Sequence, residues 1–306
     1  MNVIILYLMS YFFYLIKSDG NFIKKSKIYN LCNRNLSGNN MIKHSQNIIT
    51  NKNNNTFYEK DIDVYLKTNN FIQNKKLISI SPAGIKGYYQ MGVLNYIKQN
   101  YDLSEYIFSG ASAGAWNSLF MCLNKNSNDF VYKMLNLDIK KTKSIKEVEY
   151  LIKYKILKSY TEDDFNLERL FIGVTTFQKN RFQTSIFSDF DNLEDAINCC
   201  IASSHIPLVT GGLSNRYHNM YTFDGGFSTY PYLNLTHSVL HVSPTMWKEN
   251  NIPQNKLKNK IKSILSFKDF LFINKNVDCI ELYDNGYADA KKNKLMLDNI
   301  LLPPKI

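Results

Sequence analysis

The stretch FSGASAGAWNSLF, from Phe108 to Phe120, sets Ser112 between Gly110 and Gly114 at the spacing G-x-S-x-G. Tyr106 to Phe108 reads as extended backbone, and past the turn Ala115, Trp116, Leu119, Phe120 and Leu123 fall on one face of a helix. The residues between, Gly110, Ala111, Ala113 and Gly114, are all small. They leave room for a sharp strand-to-helix turn that lifts a hydroxyl clear of a sheet, the placement an activated serine needs. They equally suit a helix packed close to a strand, so at this point Ser112 fits both a nucleophile and a packing residue.

A similar unit precedes it. In KKLISISPAGIKGYYQMGVLNYIKQN, Leu77 to Ile80 reads as a short buried strand, and Tyr88, Met91, Leu94 and Ile97 recur at helical spacing. The loop between them, Ser81 to Gly87, is made of small residues at a helix N-terminus, where free N–H groups and the helix dipole favour negative charge. Lys86 adds a positive charge there. A plain tight connection also fits, and so does a piece of a dinucleotide fingerprint, but Pro82 stands where the first glycine of G-x-G-x-x-G belongs. A serine needs a base to become a nucleophile. Downstream, MYTFDGGFSTYP puts Asp224 directly before Gly225 and Gly226, a place where aspartate is also an ordinary turn residue.

A strand with a glycine loop, then G-x-S-x-G, then D-G-G, in that order, resembles the patatin-like phospholipase family. The stretch LFIGVTTFQKNRFQTSIFSDFDNLEDAINCCIASSHIP is similar to the family's two strands and helix before a proline. SVLHVSP and ELYDNGYADAKK are similar to the last strand and closing helix of its animal triglyceride-lipase branch. The resemblance covers about residues 76 to 293. It implies a three-layer α/β/α sandwich with a mostly parallel central sheet, which buried strands alternating with helices also indicate.

The resemblance further implies a lipid acyl hydrolase that works through a serine–aspartate dyad, with Ser112 as nucleophile and Asp224 as proton acceptor. Gly87, Gly110, Gly114, Gly225 and Gly226 match motif glycines, and neither a cofactor nor a metal is expected. One departure stands out: the family's opening Asp-Gly-Gly is Ser81-Pro82-Ala83 here, and proline has no N–H. The oxyanion donors are therefore expected from Gly84, Ile85 and Lys86. The substrate implied is an acyl ester of a lipid, and the positive net charge and apolar N-terminus favour a phospholipid, cut by a phospholipase A or lysophospholipase type reaction. A triacylglycerol lipase, or a catalytically silent membrane-bound interaction module, is the alternative.

A histidine-based triad would read Ser112, Asp224, then His237 or His241. Those histidines flank an apolar SVL that reads as a strand, where a structural role is ordinary. His205 reads as a packed loop residue and His218 as a surface one. Trp116 and Phe120, one and two turns beyond Ser112, fit either an acyl pocket or the core.

The chain has 306 residues, enough for one catalytic domain and an extension, with a formal charge of +11 and 44% apolar residues. That charge favours anionic surfaces. No nucleic-acid-binding signature accompanies the scattered lysines, so a membrane surface is the expected partner rather than nucleic acid. Cys32, Cys122, Cys199, Cys200 and Cys279 form neither a C-x-x-C pair nor a plausible disulfide framework. Residues 1–16 contain the apolar run VIILYLMSYFFYLI, shorter than the roughly 20 residues of a comfortable span. A signal or anchor segment is expected there, with a membrane-surface anchor, a packed element and a start at Met41 as alternatives. The Asn- and Lys-rich residues 17–70 read as a disordered linker, 71–293 as the hydrolase domain and 294–306 as a tail. Sequons at Asn35, Asn54 and Asn234 carry little weight in so asparagine-rich a chain. Membrane association follows, by way of the secretory pathway or at the cytoplasmic membrane surface.

Overall fold

The computed structural model describes residues 47–51, 57–61, 65, 69–142, 144–178, 180–228, 230–233, 235, 238–247 and 278–302. The expected N-terminal segment, Cys32, His237 and the three sequon asparagines lie outside them.

Strands buried on both faces dictate the architecture. Neighbouring apolar residues in Leu77–Ile78, Ile107–Phe108, Phe171–Ile172 and Ile186–Phe187 belong alternately to two separate core clusters. Successive strand side chains point to opposite faces, so a strand apolar at every position needs a cover on each side. In chain order the elements are β1 (Asn47–Asn51), β2 (Phe57–Asp61), α1 (Asn70–Gln73), β3 (Lys76–Ile80), α2 (Gly87–Asn100), β4 (Tyr106–Gly110) and α3 (Ala113–Met121). There follow α4 (Ser127–Leu135), α5 (Ile145–Ser159), β5 (Leu170–Gln178), β6 (Arg181–Ser188) and α6 (Leu193–Ser203). The chain then forms β7 (Asn215–Tyr217), β8 (Met220–Phe223), β9 (Ser238–Val242), α7 (Cys279–Lys292) and α8 (Lys294–Leu301).

The sheet runs β2-β1-β6-β5-β4-β3-β9, with the β7–β8 hairpin attached through β8 to the outer half of β5. Strands β5, β4, β3 and β9 are mutually parallel, as β1 is to β6. Only β2, the β5–β6 pair and the β8 hairpin run antiparallel. The architecture is thus an α/β sheet, mostly parallel and flanked by helices, as expected. Residues of α2 to α6, α7 and α8 share one core cluster with one face of the sheet. Among the described residues the opposite face has a thinner cover, built from Tyr65, Ile72 of α1 and Leu233.

Two expected boundaries shift. The linker expected over 17–70 includes strands β1 and β2, and β1 buries Ile48 and Ile49. A strand that joins the sheet through backbone hydrogen bonds needs few apolar residues, which is why the asparagine-rich composition concealed it. The tail expected from 294 begins with helix α8, which buries Leu297 and Leu301. Tyr101 donates to Asp298 at 2.8 Å and Tyr89 to Asp289 at 2.6 Å, tying the C-terminal helices to the body.

Helices α2 and α7 meet backbone to backbone. A Cβ at Gly286 would overlap the Tyr89 carbonyl, and one at Gly92 would overlap the Tyr283 carbonyl. Gly286→Leu is therefore expected to destabilise the fold by about 1–3 kcal/mol despite its better helix propensity. Urea denaturation measures this, and an unchanged midpoint would contradict the close packing.

Candidate active site

Strand β4 ends at Gly110, and the chain turns into α3 through Ser112, whose φ of 55° and ψ of −128° are sterically unfavourable for a residue with a side chain. Such a conformation costs on the order of 1–3 kcal/mol and persists only where surrounding contacts enforce it. Here the Ser112 amide donates to Ser203 Oγ at 2.8 Å, and Ser203 in turn donates to the Gly173 carbonyl of β5 at 2.7 Å. The turn can be this sharp because a Cβ at Gly114 would overlap the Ile80 carbonyl and one at Gly110 would overlap the Gly114 carbonyl.

Asp224 follows β8, whose pairing with β5 carries it to the same end of the sheet. Its amide donates to the His205 carbonyl at 2.7 Å, and its carbonyl accepts from Thr175 Oγ1 at 3.0 Å. The carboxylate lies between two donors: Ser112 Oγ to Oδ2 at 2.7 Å and the Gly226 amide to Oδ1 at 2.6 Å. Gly225 sits against the Gly173 carbonyl, leaving no space for a side chain. Ser112 and Asp224, singled out far apart in sequence, are thus in direct contact and both buried.

Burial pushes the Asp224 carboxyl up to about 6, against the lowering effect of the hydrogen bonds from Ser112 and Gly226. A second buried carboxyl belongs to Glu149 of α5, whose Oε1 has no hydrogen-bond partner. Burial first, then the charge of Asp224, raises Glu149 well above the carboxylate range and favours its neutral form. Such a pair offers one carboxylate able to take a proton from the Ser112 hydroxyl, with a neutral acid in its field.

The loop after β3 packs beside the turns that carry Ser112 and Asp224. Gly84 has a φ of 54° and begins a 3-10 turn to Lys86 that feeds α2. Gln90 donates to the Ser81 carbonyl at 3.0 Å and to Ser81 Oγ at 2.9 Å, while Asn117 of α3 donates to the Gly87 carbonyl at 3.0 Å. Gly87 faces Ala113, and Gly226 faces Pro82. The Lys86 amide donates to the Ala83 carbonyl at 3.1 Å, so of the three expected donors it already has a partner within its own turn.

The remaining sequence candidates lie elsewhere. His241 Nδ1 is 2.9 Å from Ser79 Oγ, and its ring meets Tyr232. His205 places Nδ1 3.3 Å from Thr210, and His218 pairs with Asp195 at 3.1 Å. Among the described residues no imidazole hydrogen-bonds to Ser112 or Asp224. Phe120 is a core residue stacked on Phe130, and Trp116 is half-buried with its indole N–H on Ser204 at 3.1 Å. Among the described residues no His, Cys, Asp or Glu cluster could hold a metal ion, and no helix is long and apolar enough to cross a membrane. Ser203 and Glu149 escaped the sequence reading. The run ASSHIP hinted at the first, whereas nothing marked Glu149 within a lysine-rich helix.

No curated protein sequence matches the chain significantly. Among solved structures, VipD from Legionella pneumophila is similar at a TM-score of 0.43 and 12% identity, over 87% of this chain and 72% of its own. The sequence model described as patatin-like phospholipase matches residues 78–235, just over half of the 306 residues, and includes the loop, Ser112 and Asp224. With that match added to the sheet and the ordered motifs, the chain belongs to the patatin-like phospholipase family.

Proposed function

We propose that the protein hydrolyses carboxylic esters of membrane phospholipids, with Ser112 as nucleophile and Asp224 as its proton acceptor. The observation that carries this reading is the 2.7 Å hydrogen bond between Ser112 Oγ and Asp224 Oδ2 on a strained turn. As Ser112 Oγ attacks the ester carbonyl, its proton passes to Asp224, and the carbonyl π-electrons move onto oxygen. Collapse of that oxyanion expels the alcohol portion of the lipid, which takes the proton from Asp224 and leaves an acyl-serine. Water then attacks the acyl group, gives a proton to Asp224, and frees the fatty acid and the Ser112 hydroxyl.

A carboxylate is a weak base toward an alcohol, so the barrier must fall mainly where the oxyanion forms. The amides of Gly84 and Ile85, beside a helix N-terminus, are the donors best suited to this, each worth about 3 kcal/mol. Lys86 is set aside because its amide is engaged with Ala83. Phospholipid is preferred over neutral glyceride because a chain of net charge +11 is drawn to anionic headgroups, which also favours a membrane-associated location.

Release of fatty acid from mixed phospholipid vesicles is expected from the wild-type chain. It should fall by at least about a thousandfold in Ser112→Ala and Asp224→Asn and be largely retained in His241→Ala. Equal release by wild type and Ser112→Ala would remove the hydrolase reading, and loss in His241→Ala alone would favour a histidine base. Release from triacylglycerol emulsions but not from phospholipid would move the substrate to neutral lipid.

The acid limb of the pH profile follows from Asp224. Its carboxyl is raised to about 6 in the folded protein, so below that pH it is protonated and cannot accept the serine proton. The kcat/KM for a soluble ester should rise through pH about 6 and level off above it. The same upward shift means that the native state gains stability from protonating Asp224 at low pH and loses it as pH rises through 6. Asp224→Asn is accordingly expected to be more stable than wild type at pH 8 in urea denaturation.

A further inference from the structure

The segment that supplies the carbonyl for the Asp224 amide continues into a loop braced by its own hydrogen bonds. After His205, the amides of Val209 and Thr210 both donate to the Ile206 carbonyl at 3.0 Å, and the Ile206 amide donates to buried Thr210 Oγ1 at 2.9 Å. The Leu208 amide bonds the Gly212 carbonyl at 3.1 Å, and Gly211 lies against the His205 ring. This bracing holds Leu208 at a φ of 64°, unusual for a bulky residue, with its side chain 39% exposed. Leu213, five residues further on, is 68% exposed. Leu208 is therefore held toward solvent by backbone conformation and hydrogen bonding, with Leu213 exposed close by in the chain.

Helix α5 packs on α6, the helix that leads into this loop. Lys153 binds Glu194 at 2.7 Å and Asn198 at 2.8 Å, docking α5 on α6, whose end leads into the loop. Glu149 is buried, while Tyr150 and Tyr154, 53% and 61% exposed, turn outward. Lys146 lies over the Tyr150 ring at 5.7 Å and Lys158 over the Tyr154 ring at 5.6 Å. Glu147, next to Lys146 in the chain, is exposed as well. Apolar tips that enter an acyl boundary, tyrosines at the headgroup level and lysines that meet anionic lipid are the components of an interfacial binding surface.

We propose that Leu208, Leu213, Tyr150, Tyr154, Lys146 and Lys158 form the face that seats the protein on an anionic lipid bilayer, beside Ser112 and Asp224. This rests on the hydrolase reading for its purpose, since an enzyme can extract a lipid chain from a bilayer only where its site meets the interface. The surface itself does not depend on that reading.

The test uses the full chain with sucrose-loaded vesicles of phosphatidylcholine, with and without phosphatidylserine. Leu208→Asn/Leu213→Ser tests the apolar tips, asparagine being tolerant of positive φ. Lys146→Gln/Lys158→Gln tests the charges. Wild type is expected to sediment preferentially with the phosphatidylserine vesicles, and each double variant to bind them about tenfold more weakly. Hydrolysis of a water-soluble short-chain ester should stay at the wild-type rate in both variants. Binding by the variants equal to wild type, indifference of wild type to phosphatidylserine, or an equal loss on the soluble ester would each overturn the proposal. If wild type fails on the soluble ester, the hydrolase reading falls, while the vesicle measurement still decides the docking face.

Discussion

The contact between Ser112 Oγ and Asp224 Oδ2 joins two points of the chain that only the sheet brings together. Both ends of it depend on backbone packed against backbone. On one side Gly114 lies on the Ile80 carbonyl, letting α3 start directly over β3 and β4. On the other, Gly225 lies on the Gly173 carbonyl of β5, fixing the turn after β8. Ser203 connects the two sides, accepting from the Ser112 amide and donating to that same Gly173 carbonyl. A strained serine can be held this way because three elements share its cost.

Burial of Asp224 works against stability and in favour of the proposed chemistry. A carboxyl removed from water prefers its proton, which raises its pKa toward neutrality and makes it a better base once ionised. The hydrogen bonds from Ser112 and Gly226 keep the ionised form within reach. Glu149 adds a second buried carboxyl close enough to respond to the Asp224 charge. Two buried acids near one another favour the state with a single negative charge, so the neutral form of Glu149 lets Asp224 be the one that ionises.

Much of this was legible in the sequence because the relevant signals are local. Small residues around Ser112, the apolar runs at Leu77 and Tyr106, and the glycines after Asp224 each announce a turn or a buried strand within a few positions. What stayed hidden depends on partners distant in sequence. Strand β1 carries mostly asparagine and threonine around Ile48 and Ile49, and is recognisable only beside β6. Ser203 matters through its bonds to Ser112 and Gly173, which no spacing rule predicts. The Lys86 amide looked available because its residue type said nothing of the turn that engages it. Leu208 likewise gives no sign in sequence of its positive φ.

The most direct measurement is covalent trapping. An alkyl fluorophosphonate, which reacts with serines activated by a base and an oxyanion site, can be incubated with the purified full chain and the adduct mapped by peptide mass spectrometry. A single adduct on the peptide holding Ser112, formed slowly or not at all in Asp224→Asn, is the expected result. An intact chain without adduct, or one modified at another serine while Ser112 stays free, would contradict the claim that Ser112 is activated by Asp224.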